Sequence, residues 1–159
     1  MTPARRLLVA GATAAAVVVL DQLAKTWALR ALADGPRPVV WTLRLNLSFN
    51  SGAAFGLGQG LAPLLVVVAV VLVVLLAGFW RSSTTTMAAA VGLGLVLGGA
   101  CGNLADRLVR HHGGAVIDFV DLQWWPVFNV ADAAITCGAV LLILTSWRHD
   151  RRAAATPDA

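Results

Sequence analysis

Residues 61–80 read LAPLLVVVAVVLVVLLAGFW, a run of twenty residues without one charged side chain. A helix needs roughly 20 predominantly apolar residues to cross the hydrocarbon core of a bilayer. A helix on the surface of a soluble domain has one apolar face, whereas this run is apolar on every face. The stretch therefore predicts a transmembrane helix and an integral membrane protein.

The composition of the whole chain supports the same class. Of its 159 residues, 58% are hydrophobic and 13% are charged, whereas soluble domains carry about 25% charged residues. The net charge is +4, but the basic residues are scattered and several flank apolar segments. This distribution favours contact with membrane phospholipid and excludes a nucleic-acid binding protein. We expect one integral membrane domain over residues 1–159.

Three further segments are long and apolar enough to span a membrane, which makes an all-α membrane fold with four transmembrane helices. The predicted spans lie at about residues 7–33, 61–80, 87–105 and 131–147. The first has features of a cleavable signal peptide, but Asp21, Gln22 and Lys25 separate its apolar core from the Ala-x-Ala site. We expect it to be retained. The short Arg81 turn and the arginine-rich end of the chain predict that both termini are cytoplasmic, and residues 150–159 are expected to form a disordered tail.

Two shorter patterns predict how the spans and loops pack. Apolar and polar residues alternate strictly from Trp41 to Asn50, and a period of two predicts a β-strand. In the third span Gly94, Gly98 and Gly102 lie four residues apart on one helix face. Glycines in this spacing let a second helix approach closely, so we expect a packing seam.

Polar residues of the spans are predicted to gather near the outer surface of the membrane. Asp21 lies 14 residues beyond Leu7, which is about 21 Å along a helix. Asn103 and Asp106 end the third span, and Asp132 begins the fourth. Such residues are costly in lipid and mark functional sites. Neighbouring opposite charges, Asp21 with Lys25 and Asp106 with Arg107, could however form a purely structural network.

Residues 117–135, IDFVDLQWWPVFNVADAAI, contain three aspartates among apolar side chains. Asp118 and Asp132 have no basic residue nearby in the sequence, which favours a functional role. Asp118 is expected to end a short strand or turn and Asp132 to cap the last helix, with an interfacial aromatic hairpin folding one carboxylate onto the other. Asp121, followed by Gln123 and a tryptophan pair, is expected to be a solvated residue.

Two adjacent carboxylates share one proton, because both cannot easily ionise side by side. The pair then supplies a general base for water and a general acid for a carbonyl oxygen, as amide hydrolysis requires. A serine peptidase pairing Ser48 or Ser51 with Lys25 is a second possibility, but Asp21 keeps that lysine protonated. A proton-conducting transporter is a third. It predicts polar residues at mid-depth, and residues 61–80 contain none.

Five motifs resemble those of bacterial lipoprotein signal peptidases, also called signal peptidase II, in the order of that family. They are DQLAK at 21–25, FNSGAAFG at 49–56, GNLADR at 102–107, VIDF at 116–119 and FNVAD at 128–132. The resemblance implies four transmembrane helices with a small extracytoplasmic β-cradle. It also implies a multi-pass aspartic peptidase of the bacterial cytoplasmic membrane with its active site near the outer leaflet.

The family's substrates are prolipoproteins with a diacylglyceryl group on the lipobox cysteine, cut on the amino side of that cysteine. By this resemblance Asp118 and Asp132 match the catalytic pair. Four positions match residues that line the family's active site, namely Asn50, Asn103, Arg107 and Asn129. Three more match residues that support it, namely Asp21, Lys25 and Asp106. The resemblance implies no metal and no organic cofactor.

Overall fold

The computed structural model describes residues 2–51, 86–110 and 112–154, and for 148–154 the backbone alone. Within these residues the chain forms three helices and a small antiparallel sheet. The elements are α1 (Pro3–Ala31), β1 (Arg37–Val40), β2 (Leu43–Asn50), α2 (Met87–Val109), β3 (Val116–Asp121) and α3 (Val130–Ala154).

Helices α1 and α2 and the part of α3 from Val130 to Trp147 are long and apolar enough to cross a membrane. Three of the four predicted spans are thus helical, and the fourth, residues 61–80, lies outside the described residues. Several leucines of α1 are exposed, among them Leu8 and Leu23, as expected of side chains that face lipid. Helix α3 continues to Ala154, so residues 150–154 of the predicted tail are helical, while 155–159 also lie outside the described part.

The glycine seam predicted in the third span is confirmed. A methyl group on Gly98 would lie 2.7 Å from the backbone oxygen of Ala14 in α1, and one on Gly94 would lie 2.6 Å from that of Ala10. Only glycine permits this separation, because a side chain would force the two backbones apart. The seam holds α1 and α2 together along their length.

A neighbouring face of α2 packs as closely against α3. A methyl group on Gly99 would overlap the backbone oxygen of Ala131, and one on Gly138 would lie 2.6 Å from that of Gly92. Helix α2 is therefore fixed on two sides, and the polar residues near its end face both neighbours.

The sheet has the order β1-β2-β3, with both pairs antiparallel. The alternation from residue 41 to 50 predicted one strand, and β2 occupies most of that range. Trp41 and Thr42 instead form the turn between β1 and β2, with Trp41 at a φ of 53°. Strand β1 was not predicted, because its Pro38 cannot donate a backbone hydrogen bond and is tolerated only on an edge strand.

Strand β3 is almost wholly buried and connects the sheet to α1. Phe119 packs in an apolar cluster with Ala28 of α1 and with Leu32, the residue that follows this helix, and its ring lies edge-on to Trp27 with centroids 6.4 Å apart. Because strands buried on both faces read as continuous apolar runs, this burial explains why Asp118 is surrounded by such residues.

Candidate active site

Asp118 lies in the middle of β3, and its side chain is 1% exposed. Its Oδ1 accepts a hydrogen bond of 2.7 Å from Asn129 Nδ2, and its Oδ2 accepts one of 3.1 Å from Asn50 Nδ2. The expectation that Asp118 ends a strand is wrong, because β3 continues pairing with β2 as far as Asp121. The central position gives the carboxylate a rigid support on both sides.

Asp132 lies in the first turn of α3, where it takes part in a reciprocal cap with Asn129. The Asp132 backbone N–H donates to Asn129 Oδ1 at 2.9 Å, and the Asn129 backbone N–H donates to Asp132 Oδ2 at 3.2 Å. This is the capping-box arrangement, in which two residues three apart satisfy each other's backbone donors. Asp132 is thus part of the cap, as predicted, and Asn129 is its partner.

The segment between the two aspartates folds back on itself, as the hairpin prediction requires. Phe128 N donates to Val120 O at 3.0 Å, and Val120 N donates to Phe128 O at 2.8 Å. Asn129 follows directly and is fully buried. Through its side-chain amide and its backbone N–H, it contacts Asp118 and Asp132 at once.

Asn103 of α2 is the second amide that contacts Asp132. Its Nδ2 donates to Asp132 Oδ1 at 2.7 Å, while its Oδ1 accepts from Lys25 Nζ at 2.9 Å and from Asn129 Nδ2 at 3.1 Å. Since two donors face the oxygen, the amide can turn only its NH₂ group toward Asp132. The orientation of this donor is therefore imposed from outside the pair of aspartates.

Lys25 stands between Asp21 and Asp106 in a cluster that is fully buried. Its ammonium lies 2.8 Å from Asp21 Oδ2 and 2.7 Å from Asp106 Oδ2. Asp21 Oδ1 accepts a 3.0 Å hydrogen bond from Ala131 N in α3, and Asp106 Oδ2 accepts one of 3.1 Å from Ile117 N in β3. The cluster thus links four elements beneath the aspartates.

Asp106 does not pair with its neighbour Arg107, as the sequence suggested, but with Lys25 and with Arg110 at 3.3 Å. Residues four apart share a helix face and adjacent ones do not, so Arg110 could have been found from the spacing. Gln22 was also missed as a site residue, and its Nε2 donates to Asp106 Oδ1 and to the Gly102 backbone oxygen at 3.0 Å.

Arg107 lies near both the pair of aspartates and the buried cluster. Its Nη1 donates to the Asn103 backbone oxygen at 3.4 Å, and the carboxylates whose charge acts on it are those of Asp132, Asp106 and Asp118. Its Nε is buried and has no hydrogen-bond partner within the described ranges. The guanidinium therefore retains a donor beside the pair.

Asp121 is not the solvated residue that was expected, since it is 4% exposed. Its Oδ2 accepts from Arg44 Nε at 2.7 Å and from Asn46 Nδ2 at 3.2 Å, and its Oδ1 accepts from Gln123 N at 2.7 Å. Burial acts to raise the pKa of Asp121, but these hydrogen bonds and the Arg44 charge lower it below its ordinary value. Asp121 therefore stays ionised and fastens the chain after β3 to β2.

Burial raises the pKa of Asp118 to about 6, and the charge of Asp132 is the second cause of this rise. Hydrogen bonds from Asn50 and Asn129 act in the other direction and lower it. Asp118 therefore keeps its proton to a higher pH than an ordinary aspartate does, as the acid of a carboxylate pair must. Among the described side chains, no group of three His, Cys, Asp or Glu residues is arranged to hold a metal ion.

A cleft of about 530 Å³ opens beside Asp118. Its walls are the end of β2 and the segment that follows β3, with the lining residues Ser48, Phe49, Asn50, Ser51, Asp118, Gln123, Trp124, Trp125, Pro126 and Val127. The cleft gives one of the two aspartates access to a bound molecule.

Comparison with known proteins gives one consistent family. The family model of signal peptidase (SPase) II matches residues 13–148. Lipoprotein signal peptidase of Mycobacterium avium is 43% identical over 149 residues, covering 91% of this chain and 81% of the relative. That of Rhodococcus jostii is 45% identical over 151 residues, covering 91% and 74%.

Two solved structures of bacterial membrane enzymes, obtained by the in meso method, have the same fold. The first superposes with a TM-score of 0.81 at 24% identity, covering 99% of this chain and 96% of the other. The second has a TM-score of 0.72 at 26% identity, covering 89% and 92%. The similarity extends over nearly the whole length of both chains.

Proposed function

Because this chain belongs to the signal peptidase II family, and is thus a membrane aspartic peptidase, we propose that it removes the signal peptide from diacylglyceryl-modified prolipoproteins. The cut falls on the amino side of the lipid-modified cysteine, and Asp118 and Asp132 act as the catalytic pair with a water molecule. The observation that carries this assignment is the buried Asn129, whose side-chain amide donates to the Asp118 carboxylate and whose backbone N–H donates to the Asp132 carboxylate.

In this mechanism Asp118 holds the shared proton and Asp132 is ionised. Asp132 takes a proton from water, the water oxygen bonds to the scissile carbonyl carbon, and Asp118 gives its proton to the carbonyl oxygen, which yields a gem-diol. Asp132 then protonates the amide nitrogen while Asp118 takes back a hydroxyl proton, and the C–N bond breaks. The signal peptide leaves with a new carboxyl group, the cysteine keeps a free α-amine, and the pair returns to its starting state.

The remaining predicted residues have positioning and binding roles in this proposal. Asn50, Asn103 and Asn129 donate to the carboxylates and fix their rotamers. Arg107 supplies a charge and a spare donor for the substrate backbone. The cluster of Asp21, Lys25 and Asp106 holds Asn103 and the start of α3 in place.

We further propose a bacterial inner-membrane location with both termini cytoplasmic and the catalytic pair near the outer leaflet. A lipid-modified cysteine places the scissile bond close to the headgroups, and the buried polar residues of α1 and α2 meet the sheet at one end of the helices. The depth proposed for the catalytic pair therefore matches the depth of the scissile bond.

The geometry disfavours the serine/lysine alternative, because the contacts of Lys25 Nζ with Asp21, Asp106 and Asn103 hold this group away from a serine hydroxyl. A proton-conducting transporter would need polar groups along the depth of the membrane. In α1 and α2 the buried charged residues Asp21, Lys25 and Asp106 lie together in one cluster. Flux of ions in proteoliposomes without any processed product would support a transporter.

The test is incubation of the purified protein with a diacylglyceryl-modified precursor and with the same precursor unmodified, followed by mass analysis. We expect one cut in the modified precursor, directly before the cysteine, and none in the other. A cut elsewhere, or equal cleavage of both precursors, would contradict the proposal.

The pH profile of kcat/KM is expected to fall as the pH rises through about 6, because Asp118 then loses the proton that makes it the acid. The apparent value belongs to the pair of aspartates and not to one residue. Asn50→Ala removes a hydrogen bond that stabilises ionised Asp118, so it should move this limb to higher pH. Cleavage rates measured from pH 4.5 to 8, a range of about two units either side of 6, test both effects. If Asn50→Ala does not shift the descending part of the pH profile, the assignment of Asp118 as the acid is refuted.

A further inference from the structure

Arg110 caps the end of α2 and reaches across to α1 with two of its nitrogens. Its Nη2 donates to the Gln22 backbone oxygen at 3.0 Å and to Thr26 Oγ1 at 2.9 Å, and its Nε donates to Gln22 Oε1 at 3.0 Å. The same Nε lies 3.3 Å from Asp106 Oδ1, and the side chain is 18% exposed. Arg110 is not among the residues that line the cleft beside Asp118. Any effect of Arg110 on the catalytic pair must therefore pass through other residues.

The first of these residues is Gln22, whose amide Arg110 orients. A guanidinium can only donate hydrogen bonds, so the amide turns its oxygen toward Arg110 and its NH₂ group away. The NH₂ group donates to Asp106 Oδ1 and to the Gly102 backbone oxygen, each at 3.0 Å. Asp106 Oδ1 thus receives donors from both Gln22 and Arg110, and both depend on where the guanidinium lies.

Asp106 connects this arrangement to β3. Its second oxygen, Oδ2, accepts the backbone N–H of Ile117 at 3.1 Å. In the described part of the chain β3 is an outer strand of the sheet, and at Ile117 side chains bond its backbone where a further strand would. Asn129 Nδ2 donates to the Ile117 oxygen at 3.3 Å. Asp118 is the next residue, so the backbone that carries its carboxylate is held by Asp106 on one side of Ile117 and by Asn129 on the other.

A purely structural role for Arg110, fastening α1 to α2, is already served by other contacts. At Gly94 and Gly98 the two helices pack at distances that only glycine permits. Lys25 of α1 also binds Asp106 of α2. Loss of the Arg110 contacts should therefore leave the helix pair assembled. It would remove the restraint on the Gln22 amide and on one oxygen of Asp106.

We propose that Arg110 is a positioning residue, which aligns the Asp118 carboxylate for proton transfer. The path runs through Gln22, Asp106 and the backbone of Ile117. The inference rests on the proposed function. A displacement of about 1 Å at a reacting group can lower a rate about 100-fold. Arg110 therefore acts on the rate of the chemical step and not on the affinity for the precursor, because it lies outside the cleft.

The test compares Arg110→Gln with Arg30→Gln, which makes the same change at an exposed arginine in the last turn of α1. Cleavage of the diacylglyceryl-modified precursor is followed by single turnover over a range of enzyme concentrations in detergent. We expect Arg110→Gln to lower the rate constant at saturating enzyme about 10- to 100-fold, with an unchanged half-saturating concentration. Arg30→Gln should leave both values unchanged.

Gln22→Met tests the path, because it removes the amide and keeps the guanidinium. It should also lower the rate constant, and the Arg110→Gln/Gln22→Met double variant should be no slower than the slower single variant, since both act through one path. Arg110→Lys keeps the charge beside Asp106 but cannot reproduce the fork of two nitrogens. It should unfold at the same temperature as the unchanged protein and still cleave more slowly, which a purely structural role would not produce.

Unchanged rate constants in Arg110→Gln and Arg110→Lys would overturn the inference, and so would a raised half-saturating concentration at an unchanged rate constant. Losses that multiply in the double variant would overturn the path through Gln22. If Arg110→Gln does not fold, the rate constant of Arg110→Lys decides. A lack of cleavage by the unchanged protein would overturn the proposed function, and this inference with it.

Discussion

Replacing either Asp118 or Asp132 with Asn is expected to lower kcat/KM for a diacylglyceryl-modified precursor at least about 1,000-fold, because each carboxylate performs a proton transfer that an amide cannot. The double variant should be no worse than either single one, since the two residues act as a unit. The measurement is product formation by mass analysis under single-turnover conditions. Asp34→Asn, a change of the same kind at an exposed position after α1, is the matched control and should cleave normally.

These variants should remain folded, and Asp118→Asn gives the clearer case. Because the folded-state pKa of Asp118 is raised to about 6, its contribution to stability is fully present only below its unfolded-state pKa and is lost as the pH rises through about 6. At neutral pH the ionised side chain opposes folding. Asp118→Asn should therefore unfold in detergent at no lower temperature than the unchanged protein. Normal processing by both Asn variants would refute the assignment of the pair.

Lys25→Met is expected to lower the free energy of unfolding by about 3–5 kcal/mol, because it leaves uncompensated charge in a fully buried site. Both Asp21 and Asp106 would lose the ammonium that lies within 2.8 Å of them. Asn103 would also lose one of the two donors that fix its amide, so any folded protein should cleave slowly. Denaturant unfolding in mild detergent, followed by circular dichroism, measures the stability.

Arg44→Met is the matched control, since it removes a cation from Asp121 in a pair whose arginine is 39% exposed. Such a pair contributes at most about 1 kcal/mol. A Lys25→Met/Asp106→Asn double variant should recover part of the lost stability, because one of the two stranded charges is gone. If Lys25→Met is no less stable than Arg44→Met, the buried cluster does not support the fold.

Local patterns in the sequence predicted most of what lies within one element. The spacing of Gly94, Gly98 and Gly102 gave the seam between α1 and α2, because a helix fixes which side chains share a face. The absence of basic neighbours separated Asp118 and Asp132 from the other acids. The capping box of Asn129 and Asp132 has the spacing of its motif and could have been recognised as well.

The features that local patterns did not predict depend on contacts between distant segments. Asp121 was expected in solvent because its partner Arg44 lies 77 residues earlier in the chain, and no local pattern reveals such a pairing. The central position of Asp118 in β3 likewise depends on pairing with β2. Lys25 was assigned to Asp21 alone, and its contact with Asp106 follows only from the close packing of α1 on α2.

Asn129 caps α3 and contacts both carboxylates through its side-chain amide and its backbone N–H. Before α3 is seated against α2 and β3, Asn129 can cap the helix through Asp132 but has no contact with Asp118 or Asn103. In a newly inserted chain we therefore expect the two carboxylates to gain their common support only when the last helix docks.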